Sequence, residues 1–404
     1  MQLEYKGKKT EREILNKQSN ITLKSISGNS EAQSKLIKGD NLAVLKHLLD
    51  NGYRGKIDLV YIDPPFATNN TFTISKEKAN SISRSNSDNV AYDDSLVGPE
   101  YLEFIRERLI LLKELLSDRG SIYFHIDYKI GHYIKVLMDE VFGKEKFVND
   151  ITRIKCNPKN FSRKAFGNVK DMILFYTKNG NHIWNEPKAE LSEEDIKKLF
   201  KKLDKDGRKY TTIPLHAPGE TANGATGQPW RGMMPPKGRH WRSQPSVLEE
   251  LDKQGLIEWS KNGVPRKKIY ADEKDGKKIQ DVIEFKDLQN PSYPTEKNLN
   301  LLKLLIGASS NRGGFVLDCF CGSGTTLKAA KDLDRKWIGI DKSEEAINVA
   351  LKKLRPQQKT LTMAEEFEYL EQITKQINNE MSIHYIQQEE QVKNNISENE
   401  VIIR

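Results

Sequence analysis

The 404-residue chain has only three cysteines, Cys156, Cys319 and Cys321. They are too few for a disulfide framework and fit a reducing compartment, so a cytoplasmic location is expected. A zinc centre takes four ligands, and a single Cys-x-Cys pair does not supply them, so no metal is expected. The seven histidines are scattered and no His-Glu-x-x-His occurs, which speaks against a metalloprotease. No apolar run approaches the roughly 18 residues needed to cross a bilayer. The first residues, MQLEYKGKKTEREILNKQ, carry charge throughout and lack the apolar core of a secretory signal. Also missing are a three-glycine dinucleotide fingerprint and the Gly-Lys-Ser/Thr ending of a P-loop, which weakens NAD and ATP as cofactors.

What the chain does have is a basic balance, 65 Lys+Arg against 57 Asp+Glu for a net +8, and 37 % hydrophobic residues. Its length suggests about two or three structural units. Residues 1–34 read as a polar peripheral segment with one weak helix near Glu11–Lys17. From 35 to 179 strands and helices alternate in the manner of an α/β layer fold. Its clearest strand is Ile57–Ile62, β-branched and aromatic, which stops at two prolines. Residues 67–96 are rich in Asn, Ser, Asp and Lys and read as one long loop, a candidate lid. Residues 180–290 change character, with many Lys, Gly, Pro and Trp and short apolar runs, and read as an inserted, loop-rich domain. The α/β pattern resumes over 291–355 with a helix near Asn298–Ala308, a strand Phe315–Asp318 and a strand Lys336–Ile340. Residues 356–404 form a polar Glu/Gln/Asn-rich tail, expected to be helical in part.

Two turns carry the chemistry. In VLDCFCGSGTTLKAA a hydrophobic strand delivers Asp318, the chain turns through Phe320, Gly322, Ser323 and Gly324, and a helix starts at Thr325 or Thr326. Glycines at such a turn let a ligand approach the backbone. Asp341 ends the next strand, 19 residues beyond Gly322, where an acid can grip ribose hydroxyls. This points to a nucleoside cofactor and favours S-adenosylmethionine (SAM). The second turn is Asp63-Pro64-Pro65-Phe66. Its prolines stiffen the bend and remove amide donors, leaving carbonyls, a carboxylate and an aromatic face. That set suits the exocyclic amine of a planar base: Asp63 and the Pro64 carbonyl accept its hydrogens while Phe66 stacks on the ring. Between Gln228 and Lys268 nine Lys/Arg face four acidic residues, a local excess of +5. Arg231, Arg239, Trp241, Arg242 and Lys267 in this stretch are the candidate DNA contacts, through phosphate and base stacking. The same tryptophans would equally serve as the small domain's core.

Over residues 35–355 the chain resembles the β class of amino-group DNA methyltransferases, including the modification subunits of type III restriction systems. Asp63–Phe66, the basic insert and Phe320–Gly324 follow one another in that family's order. Tyr293-Pro294-Thr295-Glu296-Lys297 looks like its SAM-contacting Pro-Thr-x-Lys element, which makes Thr295 and Lys297 cofactor residues. Gly39-Asp40-Asn41 resembles its Gly-Asp-Asn turn beside the cofactor, and Asp341 matches its ribose-binding acid. Two departures stand out: Phe66 replaces the more usual Tyr, and Cys319 and Cys321 occupy positions often held by Pro and by Ala or Gly.

The resemblance implies a circularly permuted Rossmann-like SAM-methyltransferase domain with an inserted target-recognition domain. It implies methylation of adenine N6 in double-stranded DNA after base flipping, since aspartate at 63 is similar to the adenine branch. It also suggests a homodimer and a separate restriction subunit. Cytosine-N4 methylation, amine methylation of structured RNA, and a non-catalytic DNA-reading subunit stay open as alternatives.

Overall fold

The run Ile57–Ile62 is buried along its length, which a strand achieves only with sheet neighbours on both sides and layers on both faces. In the computed structural model it occupies the middle of a ten-stranded sheet. The structure describes residues 3–65, 98–158, 164–221, 223–294, 296–355 and 366–374, and the backbone of three short strands between 71 and 93. The sheet strands, numbered in chain order, are β1 (Ile21–Gly28), β2 (Ser34–Lys38), β3 (Ile57–Ile62), β4 (Leu116–Ile126) and β5 (Phe147–Ile154). They continue with β6 (Lys170–Thr177), β7 (Val282–Glu284), β8 (Phe315–Asp318), β9 (Lys336–Asp341) and β10 (Phe367–Thr374). Their order across the sheet is β1-β10-β2-β9-β8-β3-β4-β6-β5-β7.

From β10 to β4 the strands run parallel, and β1 and β6 are the two that run against the rest. The parallel centre is apolar, with Leu36, Ile37, Leu59, Val60, Ile122, Phe124, Leu317, Ile338 and Ile340 all buried. Helices Asn41–Leu48, Gly98–Leu115 and Gly131–Phe142 and helices Leu299–Ser309, Thr325–Asp332 and Glu344–Leu354 form the connections. This is a Rossmann-like α/β sheet in permuted order. β8, which leads into the glycine turn, comes late in sequence yet pairs directly with β3, Val316 opposite Leu59 and Leu317 opposite Val60.

Three expectations change. The amino-terminal segment holds, besides the expected helix at Glu11–Asn16, the unexpected strand β1. The tail, expected to be helical in part, supplies β10, which lies between β1 and β2; the tail's residues 356–365 and 375–404 lie outside the described residues. The segment read as one loop contains strands 71–74, 79–80 and 89–93, paired as a small antiparallel sheet; its remaining residues and the lid reading lie outside the description.

Residues 186–280 form a second unit, inserted in the chain between β6 and β7. It has a four-stranded sheet of Lys202–Leu203, Lys209–Pro214, Pro265–Tyr270 and Ile257–Trp259. Its small core is Leu215, Trp230, Trp241, Leu248 and Ile257. No described helix is long and apolar enough to cross a membrane.

Candidate active site

In an open parallel sheet the carboxyl ends of the strands face a common rim, where ligands bind. Because β3 and β8 are parallel neighbours, the proline elbow and the glycine turn emerge side by side there. The glycine turn is fixed by backbone donors. Phe320 N–H donates to Asp318 Oδ1 at 2.9 Å, Gly322 N–H to Asp341 Oδ2 at 2.9 Å, and Ser343 N–H to Asp341 Oδ1 at 2.9 Å. Gly322 (φ +47°) and Gly324 (φ +74°) take left-handed conformations that a side chain would strain. A Cβ on Gly324 would also sit 3.0 Å from that of Ala350.

The amino-terminal turn joins the same place. Asp40 caps helix Asn41–Leu48 by accepting from Ala43 N–H, and Asn41 Nδ2 donates to the Cys319 carbonyl at 2.8 Å. Arg108 Nε in turn donates to Asn41 Oδ1 at 2.7 Å, and its guanidinium lies over the Phe104 ring. Tyr101, on the same helix, donates to the Pro65 carbonyl at 2.6 Å and so braces the elbow. Tyr101, Phe104 and Arg108 recur at helical spacing; sequence reasoning passed over them, although that periodicity was the available signal.

Asp63 lies at the end of β3. Its Oδ2 is 2.6 Å from Lys297 Nζ, with the two side chains 15 % and 11 % exposed. Its Oδ1 is buried and has no hydrogen-bond partner among the described residues. Asp318 is 2 % exposed. Burial pushes its carboxyl up to about 7, against the Thr326 and Phe320 hydrogen bonds and with further upward pressure from the charges of Asp63 and Asp341. Burial likewise raises Asp341. The thiols of Cys319 and Cys321 are pushed well up by burial, which keeps them protonated and inert.

A second polar cluster holds the turn from the other side. Lys353 Nζ donates to Ser323 Oγ at 3.0 Å, to Thr325 Oγ1 at 2.9 Å and to Glu296 Oε1 at 2.5 Å. Glu296, the unassigned position of the Pro-Thr-x-Lys element, and Lys353 were not anticipated as site residues. Beneath the elbow, Tyr61 hydroxyl is 2.8 Å from His125 Nδ1, and Asp171 links His125 with Arg153 and Lys155. Burial depresses His125, so it is neutral and structural. Asp171, although buried, is held far below the usual carboxylate range by His125 and Lys155.

Asp63, Pro64, Pro65, Asp40, Asn41, Lys297, Asp318, Phe320, Gly322, Ser323, Gly324, Thr325 and Asp341 therefore all belong to the sheet unit. Phe66 and Thr295 lie outside the described residues. Among the described residues no group of three or more His, Cys, Asp or Glu is placed to hold a metal. In the second unit two of the candidate DNA contacts already have partners within the unit. Trp241 is 3 % exposed, packs edge-on to Trp230 and donates to the Gln228 carbonyl at 3.0 Å, so it is core and offers no stacking face. Arg231 is already paired with Glu249 (2.9 Å) and Asp252 (2.6 Å). Arg239 and Arg242 are exposed and make no ion pair with described residues, and Lys267 is half-buried on its strand.

Over 362 residues the chain is 43 % identical to the type II methyltransferase M.EcaI of Enterobacter cloacae, covering 87 % of this chain and 77 % of that one. It is 29 % identical to the StyLTI type III restriction-modification Mod subunit of Salmonella typhimurium, over 77 % of this chain and 52 % of that protein. The chain thus spans about half the length of that Mod subunit. A crystal structure of an M1.HpyAVI–SAM complex aligns over 80 % of this chain at 17 % identity, with a TM-score of 0.43. The DNA methylase family profile matches residues 57–352, across both motif-bearing turns and the insert between them, and the chain therefore belongs to the N6/N4 DNA methylases.

Proposed function

We propose that this protein transfers a methyl group from SAM to N6 of adenine in double-stranded DNA, with the base turned out of the duplex. The observation that carries the reading is Asp63. One carboxylate oxygen is held by Lys297 and the other is buried without a donor among the described residues, on the strand beside the one that leads into the glycine turn. A buried acceptor with no donor is costly, and an exocyclic amine hydrogen satisfies it. SAM fits the neighbouring turn for reasons present in the chain. The charges of Asp63 and Asp341 both act on Asp318 and raise its proton affinity, and a cationic ligand relieves that repulsion. Asp318 and Asp341, the Gly322–Gly324 backbone, Asp40 and Asn41 are the residues that would hold it; Phe320 and Thr325 flank them. When bound, SAM supplies an electrophilic methyl on a sulfonium.

The chain's own part is positional. Asp63 and the Pro64 carbonyl accept the amine hydrogens and turn the nitrogen lone pair out of ring conjugation. Phe66, next along the chain, is the stacking partner proposed for the base. Extruding that base costs a few kcal/mol, whereas orientation of reactants is worth on the order of 7–11 kcal/mol. Asp63 takes the proton once methylation has made the nitrogen acidic, so it need not be a strong base. Arg239, Arg242 and Lys267 of the second unit are proposed to contact DNA phosphates. A homodimer, a separate restriction subunit and a cytoplasmic location complete the proposal.

The test is Asp63→Ala with labelled methyl transfer to unmethylated DNA and nucleoside analysis of the product. The expected result is loss of N6-methyladenine by at least about 100-fold, with SAM affinity kept. Transfer near the original rate would refute the role of Asp63, and N4-methylcytosine as the wild-type product would move the enzyme to the cytosine branch.

A further inference from the structure

Lys297 enters the site from a segment that is fixed at both ends. Tyr293 is 5 % exposed and its carbonyl accepts from Glu296 N–H at 3.1 Å. Glu296 accepts from Ser292 through its Oε2 (2.7 Å) and binds Lys353 through Oε1 (2.5 Å), and Lys353 holds Ser323 and Thr325 of the glycine turn. On the far side Asn298 caps helix Leu299–Ser309 and donates to the Lys286 carbonyl at 3.1 Å. The ammonium of Lys297 is thereby presented to Asp63 Oδ2 at 2.6 Å. The final torsion of an aspartate is broad and two-fold. A carboxylate free to rotate would offer either oxygen in a range of directions, and one oxygen pinned by a cation leaves the other in a defined place.

We propose that Lys297 is a positioning residue for Asp63: it clamps Oδ2, aims Oδ1 at the incoming amine, and ties that aim to the glycine turn through Glu296 and Lys353. This rests on the methyltransferase reading and deepens it. It also shifts the role of Lys297 from cofactor contact to orientation of the catalytic carboxylate. The chain of contacts Ser323/Thr325–Lys353–Glu296–Lys297–Asp63 makes the geometry at the elbow depend on the order of the cofactor turn. A misplacement of about 1 Å at a reacting centre can cost on the order of 100-fold in rate.

The experiment measures two quantities on the full-length chain: SAM dissociation constant, and single-turnover methyl transfer to unmethylated duplex DNA at saturating SAM. For Lys297→Gln the expected result is a saturated rate lower by about 100-fold with SAM affinity close to wild type. Lys297→Arg, which keeps a cation beside Oδ2, should recover most of that loss. A Lys297→Gln enzyme with full saturated rate overturns the proposal, and so does one whose whole defect is weakened SAM binding. As a control on folding, Asp63→Asn and Lys297→Gln are also combined. Leaving one half-buried charge alone is worse than removing both, so the double variant should melt no lower than the poorer single one; additive losses overturn the clamp. The two readings fail differently. A wild-type chain that binds SAM yet methylates no DNA base refutes the function itself, whereas an active wild type indifferent to residue 297 refutes the clamp alone.

Discussion

The two units hold their charged residues in opposite ways. In the sheet unit Asp318 and Asp63 stand at the ends of adjacent parallel strands, largely shielded from solvent and, at Asp318 and Asp341, hydrogen-bonded by backbone amides. In the inserted unit Arg239 and Arg242 stand exposed on short elements around a small core with two tryptophans at its centre. Chemistry that depends on fractions of an ångström is placed on rigid strand ends. Phosphate attraction, the role proposed for these arginines, acts through charge and tolerates adjustment.

The sharpest way to break that contrast is Trp241→Ala. If Trp241 is core, its removal should destabilise the inserted unit by about 3–5 kcal/mol. Hydrogen exchange should then speed up in strands 209–214 and 265–270 and stay unchanged in β3 and β8. A residue serving DNA stacking would show normal exchange and weakened binding. Next in size is the pH response of Asp318. Its carboxyl, about 7 in the folded chain against an ordinary 3.8, contributes stability that is complete below about pH 4 and lost as pH rises through 7. The slope approaches about 1.4 kcal/mol per pH unit inside that window. Asp318→Asn should flatten this part of the profile, and SAM, being cationic, should bind wild type more tightly as pH rises toward 8. Chemical denaturation at several pH values and calorimetric SAM titration check both. The smallest effect belongs to Arg239→Ala. It should leave stability within about 0.5 kcal/mol and reduce the salt slope of DNA binding by about one, read by fluorescence anisotropy across a salt series. An unchanged slope would remove Arg239 from the interface.

Legibility in the sequence follows the same divide. β3 was readable at Ile57–Ile62 and β8 at Phe315–Asp318, because a strand buried on both faces has no choice but continuous apolar residues. β1 escaped notice for the converse reason. At the sheet margin most positions of β1 face solvent, with Ile26 46 % exposed, so polar residues such as Lys24 and Ser25 break the apolar pattern. Its strand state comes from the backbone groups of β10, which composition does not record. The two turns were visible as motifs, but the Lys297–Asp63 and Lys353–Glu296 pairs were not, since each joins segments distant in sequence. Trp241 shows a residue type whose chemistry fits two roles; its burial selected the core.

The placement of β10 between β1 and β2 has a consequence for how the molecule comes into being. β1 and β2 are consecutive in the chain, yet they never touch as partners; a strand far later in the chain joins them. During synthesis, at about 5–20 residues per second, β1 waits with its ladder groups unmatched until Phe367–Thr374 has left the ribosome. That margin of the sheet is thus completed long after β1 itself has been made, and β1 stays provisional until then.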